Sequence, residues 1–259
     1  MSGGEGGPRR APGIVAPPPA PADVGIVAAL PIEVAPLLLR FGEVRKYSAR
    51  GQTVVEGSLG GKIVAMVQTG PGRARAERGA ARLLDGHRPR TIVSAGFAGS
   101  LDPGIPRNAV LLPVEVVNVE GRRFPIDWPE RFAPPAPCER RGRLITVDEV
   151  ILKADGKARL RAEHGADLVD METSSVAALC LDRGVRFASV RVVSDDATTD
   201  LPPEILSILG ESGSYRIGAA VGAIWRRPSS LKDLLRLREQ ANEAAQRLAA
   251  AILALLPSL

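Results

Sequence analysis

Residues 24–30 read Val-Gly-Ile-Val-Ala-Ala-Leu, a continuous apolar run whose length suits a strand buried on both faces. Pro31 comes directly after it, and proline is well tolerated in the first turn of a helix. The sequence therefore predicts a buried strand, a tight turn and a helix that continues through Leu39.

Strands and helices alternate along most of the remaining chain. Gly60-Gly61 separates two apolar runs and predicts a hairpin of strands at 53–59 and 62–68. Residues 119–141 are rich in Pro and Arg and predict an irregular segment. The other predicted elements are helices at 74–84, 151–163, 171–183, 215–225 and 231–256, and strands at 91–95, 108–118, 144–146 and 186–193. Strands that alternate with helices predict an α/β fold, with a central mixed β-sheet flanked by helices.

The composition is that of a single domain, which we place at 23–259. The chain has 259 residues, of which 45% are hydrophobic and 24% are charged, and this is enough to bury a full core. Residues 1–22 are almost entirely Gly, Pro, Ala and Arg. They are predicted to be a disordered tail, because such a composition buries too little apolar area to offset the entropy of ordering.

The net charge of +5 does not indicate nucleic-acid binding, because Lys and Arg are scattered among 29 acidic residues and aromatic residues make up only 3%. Cys138 and Cys180 form neither a metal-ligand spacing nor a disulfide framework, which fits a reducing cytoplasm. No apolar window is long enough for a transmembrane segment, and the N-terminus lacks the pattern of a signal peptide. We therefore expect a soluble cytoplasmic protein with no metal site.

Four segments follow predicted strands, at the sheet edge where α/β proteins bind ligands. They are the segment with Glu33, residues 69–75, residues 96–100, and residues 170–172 together with 194–195. Each has an ordinary structural explanation. Glu33 suits the positive end of a helix, glycines form turns, and Asp170 and Glu172 suit the start of a helix as capping and first-turn acids. Taken singly, none of these segments establishes a site.

Taken together, their order and spacing resemble the nucleoside phosphorylase and nucleosidase superfamily, in particular the methylthioadenosine/S-adenosylhomocysteine nucleosidases. The matching segments are 24–33, 68–73, 94–104, 169–173 and 190–195. The most specific parts are Met171-Glu172 and Ser194-Asp195. The family's fold, one domain with a mixed sheet between helices, agrees with the fold predicted above. The resemblance implies cleavage of the N-glycosidic bond of a 5'-substituted adenosine, with release of adenine.

The resemblance also implies catalytic roles. A purine leaves with negative charge while the sugar becomes oxocarbenium-like, so a carboxylic acid near N7 is needed to protonate it. Asp195 matches that acid, and Ser194 would orient its side chain. Glu172 matches the carboxylate that accepts hydrogen bonds from the ribose hydroxyls. Glu33 matches the carboxylate that activates the attacking water in the nucleosidases.

Other positions match residues that contact the substrate in the family. They are Met171 on the sugar face, Ala98 and Gly99 beside base and ribose, and Val150 and Ile151 beside the purine. Phe97 replaces a Ser that is usual in the nucleosidases, and Pro31-Ile32 replaces acidic residues. These two departures predict a less polar pocket.

The sequence leaves open whether water or phosphate is the nucleophile. Arg73 and Arg75 lie in and after the glycine loop, where cationic side chains and a helix N-terminus could hold phosphate and favour phosphorolysis. Both would equally suit a solvated helix surface. Glu33 favours water, so we expect hydrolysis, with phosphate as the alternative co-substrate and no other cofactor.

The C-terminal part resembles the hopanoid-associated branch of the superfamily, whose members are assigned the removal of adenine from adenosylhopane. The segments that carry this resemblance are 200–204, 218–223, 226–228 and 231–238. Phe97 and the two final helices would suit a lipid-bearing substrate, and they would equally suit core packing or a dimer surface. Family members are commonly oligomers, so a homo-oligomer is expected. A non-catalytic nucleoside-binding domain is the alternative function, against which the retained Glu33, Glu172 and Asp195 argue.

Overall fold

The computed structural model describes residues 19–49, 52–126, 128, 132–136, 138–140, 142–202 and 229–259. The strands in these ranges are β1 Val24–Ala28, β2 Gly42–Ala49, β3 Gln52–Leu59, β4 Lys62–Gln68, β5 Thr91–Ser100, β6 Val110–Leu112, β7 Glu115–Asn118, β8 Arg123–Pro125, β9 Cys138–Arg140, β10 Arg143–Thr146, β11 Leu168–Asp170 and β12 Arg186–Asp195. The helices are α1 Pro31–Leu38, α2 Arg73–Gly86, α3 Ala154–His164, α4 Thr173–Asp182 and α5 Ser229–Leu255, followed by a 3-10 turn at Leu256–Ser258.

Strand β5 is the centre of one mixed sheet. Its first part lies between β1 and β12 and is parallel to both, and its last residues, Gly99 and Ser100, pair antiparallel with β11. The strand therefore joins one arm, β1-β4-β3-β2, to another, β11-β10-β7-β8. Because β1, β4, β5 and β12 run in the same direction, their carboxyl ends meet at one edge.

Helices cover both faces of this sheet. Ile26 packs in a buried cluster with α1 and α5, whereas its neighbour Val27 packs in a second cluster with α2 and α4. Successive side chains of a strand point to opposite faces, so a strand between two helical layers must be apolar at every position. The uninterrupted run at 24–28 meets this requirement and confirms the predicted α/β architecture.

Several predicted elements are confirmed and others are corrected. The hairpin turn is confirmed, with φ of 58° at Gly60 and 79° at Gly61, values that glycine adopts without strain. The single strand predicted at 108–118 is wrong. It forms two strands with different partners, β6 and β7, because Pro113 between them has no N–H to continue a ladder. The predicted loop at 96–100 is also wrong, because it continues β5 beside β12.

Short or exposed strands were not predicted, because they carry no clear apolar pattern. The segment predicted to be irregular, 119–141, contains β8 and β9, each of three residues. Strand β2 is not predicted, because its residues up to Ser48 are mostly exposed and carry no apolar run. It lies at the edge of the sheet, where only one side needs a partner.

Two predicted regions fall wholly or partly outside the described residues. The helix predicted at 215–225 lies outside them, as do residues 1–18 of the predicted tail. Ala20 donates its N–H to Glu56 and Ala22 donates to the carbonyl of His87, so the folded part begins before residue 23. Within the described part of the chain, no helix is both long and apolar enough to cross a bilayer.

Candidate active site

A pocket lies beyond the carboxyl end of β1, against the middle of β5 and β12. Four of its lining side chains come from different elements: Glu33 from the first turn of α1, Phe97 from β5, Glu172 from the residue before α4, and Arg191 from β12. The parallel order of the strands brings them together although up to 158 positions separate them in the sequence, from 33 to 191. The predicted residues Glu33, Phe97 and Glu172 thus share one pocket.

Glu33 is held by backbone N–H groups. Its Oε2 accepts hydrogen bonds from Ala29 at 3.1 Å and Leu30 at 2.8 Å, and its Oε1 accepts one from Phe97 at 2.8 Å. Burial raises the pKa of Glu33 above its ordinary value, and the three N–H donors oppose this rise. The carboxylate is therefore fixed in position, with one acceptor site of Oε1 left for a ligand.

Glu172 joins the glycine loop to the pocket. Its Oε1 accepts a hydrogen bond from the N–H of Gly72 at 2.7 Å, and its Oε2 lies 3.3 Å from the N–H of Met171. Burial, together with the nearby carboxylates of Asp170 and Glu33, raises the pKa of Glu172 to about 8. Its side chain faces the pocket rather than capping α4, which excludes the simple helix-start explanation.

Asp170 and Arg191 form a buried ion pair behind the pocket. Arg191 Nη2 donates to Asp170 Oδ2 at 2.8 Å and to Ser94 Oγ at 2.7 Å. Asp170 also accepts from the N–H of Thr173 at 3.1 Å, so the helix-start explanation holds for Asp170. Arg191 was not predicted from the sequence. The available signal is an arginine between Val190 and Val192 in a predicted buried strand, because a buried charge needs a partner.

Asp195 lies at the end of β12, next to Gly99 of β5. Ser194 Oγ lies 2.7 Å from Asp195 Oδ1, in the position to donate a hydrogen bond and orient the carboxyl group. The buried Lys157 of α3 donates its ammonium to Oδ2 at 2.6 Å and to the carbonyl of Asp196 at 2.5 Å. Lys157 was not predicted from the sequence either. Both oxygens of Asp195 are therefore bound by side chains.

The remaining predicted contact residues surround these carboxylates. Ala98 and Gly99 lie on β5 opposite Val193 and Asp195 of β12. Ile151, in the loop before α3, packs in the same apolar cluster as Met171. Val150 precedes it in that loop and is half-buried. Met171 and Ile151 thus both border this cluster.

Arg73 is engaged by carboxylates outside the pocket. Its Nε and Nη2 donate to the two oxygens of Asp148, each at 2.8 Å, and its Nη1 donates to Glu120 at 3.2 Å. These bonds occupy the guanidinium fork that phosphate would need. Arg75 is half-buried in the first turn of α2. The geometry of Arg73 favours the structural explanation over a phosphate site.

Curated enzymes resemble this chain over most of its length. The 5'-methylthioadenosine/S-adenosylhomocysteine nucleosidase of Tolumonas auensis is 26% identical over 223 residues, which cover 76% of this chain and 97% of that protein. The enzyme of the same name from Actinobacillus succinogenes is 24% identical over 195 residues, which cover 66% of this chain and 85% of that protein.

Solved structures share the fold. The nucleosidase of the same name from Neisseria meningitidis, in complex with methylthio-immucillin-A, aligns with a TM-score of 0.71 at 20% identity and covers 91% of this chain and 99% of its own. Futalosine hydrolase of Helicobacter pylori aligns with a TM-score of 0.66 at 18% identity and covers 93% of this chain and 98% of its own. The family profile of the Phosphorylase superfamily matches residues 23–256. The chain therefore belongs to the phosphorylase superfamily.

Proposed function

We propose that this protein hydrolyses the N-glycosidic bond of a 5'-substituted adenosine and releases adenine. The observation that carries the proposal is the convergence of Glu33 and Glu172 on one pocket against the middle of β5, while Asp195 lies against Gly99 farther along the same strand. Hydrolysis of this bond requires an acid at the base, a polar group at the ribose and a base for water. The three carboxylates stand in three different environments and so suit three different tasks.

Asp195 acts at the purine. When the bond between N9 and C1' breaks, its electron pair moves to the base, and a proton delivered to N7 keeps the leaving group neutral. Ser194 beside Oδ1 limits the rotation of the carboxyl group. Val150 and Ile151 flank the purine, and Gly99 allows the base to approach Asp195 because it has no side chain.

Glu172 and Met171 bind the sugar. In its ionised form, Glu172 accepts hydrogen bonds from the ribose hydroxyls, a contact that favours positive charge on the sugar ring as the bond breaks. The bond from Gly72 to its Oε1 holds this carboxyl group in place before the substrate arrives. Met171, which packs against the same apolar cluster as Ile151, contacts the sugar face.

Glu33 activates water. Three N–H donors fix its carboxylate, and the raised pKa makes it a better base than an ordinary glutamate. Phosphate is already anionic, and Glu33 would repel it unless cations offset the charge. Arg73 is held by Asp148 and Glu120, which supports water as the nucleophile. Acid, base and sugar contact are all supplied by carboxylates, so the mechanism requires no metal or redox cofactor.

The relatives support a purine as the base of the substrate, but they do not define its 5' substituent. One solved nucleosidase of this fold, from Colwellia psychrerythraea, is a complex with adenine, whereas another neighbour is a futalosine hydrolase. A fold shared by these enzymes accepts more than one 5' substituent. Phe97 at the pocket favours an apolar substituent, which includes the adenosylhopane of the hopanoid-associated branch.

The test is adenine release from a panel of 5'-substituted adenosines, including methylthioadenosine, S-adenosylhomocysteine and a lipid-bearing adenosine, in phosphate-free buffer. We expect free adenine and free sugar from at least one of them. Binding of several members without adenine release would contradict the proposal and favour a nucleoside sensor. Glu172→Gln is the matched variant for a background reaction, because it keeps the shape of the pocket and removes the carboxylate.

We also propose that the protein works in the cytoplasm as a homo-oligomer. Cys138 and Cys180 are both buried as free thiols, which supports a reducing compartment. The oligomer follows from the family resemblance, and light scattering of the purified chain tests it.

A further inference from the structure

Lys157 is the one fully buried lysine or arginine side chain that directly contacts Asp195 in the described part of the chain. Its side chain is 1% exposed, whereas that of Asp195 is 13% exposed. Burying an ammonium group is costly unless it is paired and hydrogen-bonded. Lys157 meets this condition with two acceptors, Asp195 Oδ2 and the carbonyl of Asp196. Lys157 is therefore buried behind Asp195, which is the more exposed of the two side chains.

The acid role of Asp195 leaves a chemical gap that Lys157 fills. An ordinary aspartic acid is ionised at neutral pH and has no proton to give. The structure places the ammonium of Lys157 2.6 Å from Oδ2 of Asp195. The N–H of this ammonium points at the carboxylate oxygen, so a proton can pass from Lys157 to Asp195 when negative charge develops on the departing purine.

We propose that Lys157 is the positioning and proton-supplying residue of Asp195, an inference that rests on the function proposed above. The Nζ–H bond breaks as an O–H bond forms on Asp195. That O–H bond then breaks as the N7–H bond forms, while the electron pair of the N9–C1' bond moves to the purine. Glu33 takes a proton from the attacking water and loses it to solvent, and Lys157 regains one from solvent, so the cycle balances.

The pH dependence of turnover must be interpreted together with the other charged groups near Lys157. Asp195 faces it from β12, and Asp200 acts on it from farther away while paired with Lys153 at 2.8 Å. Asp196 contributes its carbonyl, and its own carboxylate binds Thr198. Glu33 and Glu172 titrate in wild type and variant alike. Their effect cancels in the ratio of wild-type to variant turnover at each pH, which therefore reports on the pair of Lys157 and Asp195.

The experiment measures adenine release by Lys157→Met between pH 5 and pH 8.5. At pH 8 we expect kcat to fall at least about tenfold with KM changed less than about threefold, because the proton supply and not binding is removed. The deficit should shrink towards pH 5, because the higher proton concentration of the solvent replaces the proton that Lys157 supplies. Lys153→Met is the matched control, since this lysine lies at the same helix with its side chain 72% exposed, and its profile should equal wild type.

A second variant and a double mutant keep the test decisive. Lys157→Gln can still donate to both acceptors but has no proton to transfer, so it should show the same pH-dependent deficit if Lys157→Met fails to fold. Adding Lys157→Met to Asp195→Asn should lower turnover less than about twofold further, because Lys157 acts through Asp195. A deficit that is equal at every pH, or fully additive losses, would overturn the inference. Wild type without adenine release would overturn the proposed function itself, whereas active wild type with unaffected variants would overturn only the role of Lys157.

Discussion

Gly96 lies against the carboxylate of Glu33 so closely that a Cβ added at position 96 would be 2.7 Å from Glu33 Oε1. The same Cβ would lie 3.2 Å from Nη1 of Arg191. The glycine therefore makes room for the two charged groups of the pocket. Its role is steric, because its φ is not in the left-handed region.

Gly96→Ala is expected to impair catalysis through Glu33. The methyl group must displace the carboxylate, which would break the bond from the N–H of Phe97 and misplace the base for water. We expect kcat to fall by about 10- to 100-fold, the scale of losing a general base, with the fold retained. Steady-state kinetics and the melting temperature measure the two effects. Gly86→Ala is the matched control, because no atom lies within 4 Å of its added Cβ, and wild-type kinetics in Gly96→Ala would remove Glu33 from the mechanism.

Glu172→Gln is expected to change how stability depends on pH. The pKa of Glu172 is about 8 in the folded protein and 4.5 as an ordinary glutamate. Its contribution to stability is therefore full below about pH 4.5 and is lost as the pH rises through 8. Glutamine stays neutral and can still accept the Gly72 bond. The variant should gain melting temperature relative to wild type between pH 5 and pH 9, and a difference that stays constant with pH would contradict the raised pKa.

Asp195→Asn is expected to separate binding from chemistry. The amide keeps the size of the side chain and its bond to Ser194 but has no proton to give. Turnover should fall at least about a hundredfold, while the affinity for adenine, measured by calorimetry, changes little. Asp200→Asn is a suitable control, because Asp200 is an exposed aspartate paired with Lys153. Unchanged turnover in Asp195→Asn would show that another group protonates the purine.

Much of the fold could be predicted because its signals are local. The run at 24–28 is apolar at every position because both of its faces are covered, and Gly60-Gly61 marks a hairpin by conformation alone. The long-range features were not predictable in this way. Strand β5 extends to Ser100 because β12 and β11 lie beside its second half, and the glycines at 96 and 99 conceal this in the sequence.

The candidate site was likewise predictable only in part. The resemblance named Glu33, Glu172 and Asp195, and the structure places Glu33 and Glu172 in one pocket and Asp195 opposite Gly99 of β5. It did not name Lys157 or Arg191, because each depends on a partner distant in sequence, Asp195 for one and Asp170 for the other. Lys157 stands in a polar helix among other basic residues, so its burial leaves no mark in the sequence.

The nucleophile gives the last prediction, because water and phosphate demand different groups at the same place beneath the sugar. Water gains from the carboxylate of Glu33, whereas phosphate needs cations, and Arg73 already binds Asp148 and Glu120. We expect wild type to release free sugar at full rate without phosphate. Glu33→Gln should lower that release at least about a hundredfold. Arg73→Gln should leave it unchanged. Sugar products are identified by mass spectrometry while phosphate is titrated. A rate that rises saturably with phosphate, with accumulation of sugar 1-phosphate, would instead identify a phosphorylase, and Arg73 would then have to leave Asp148 to bind the anion.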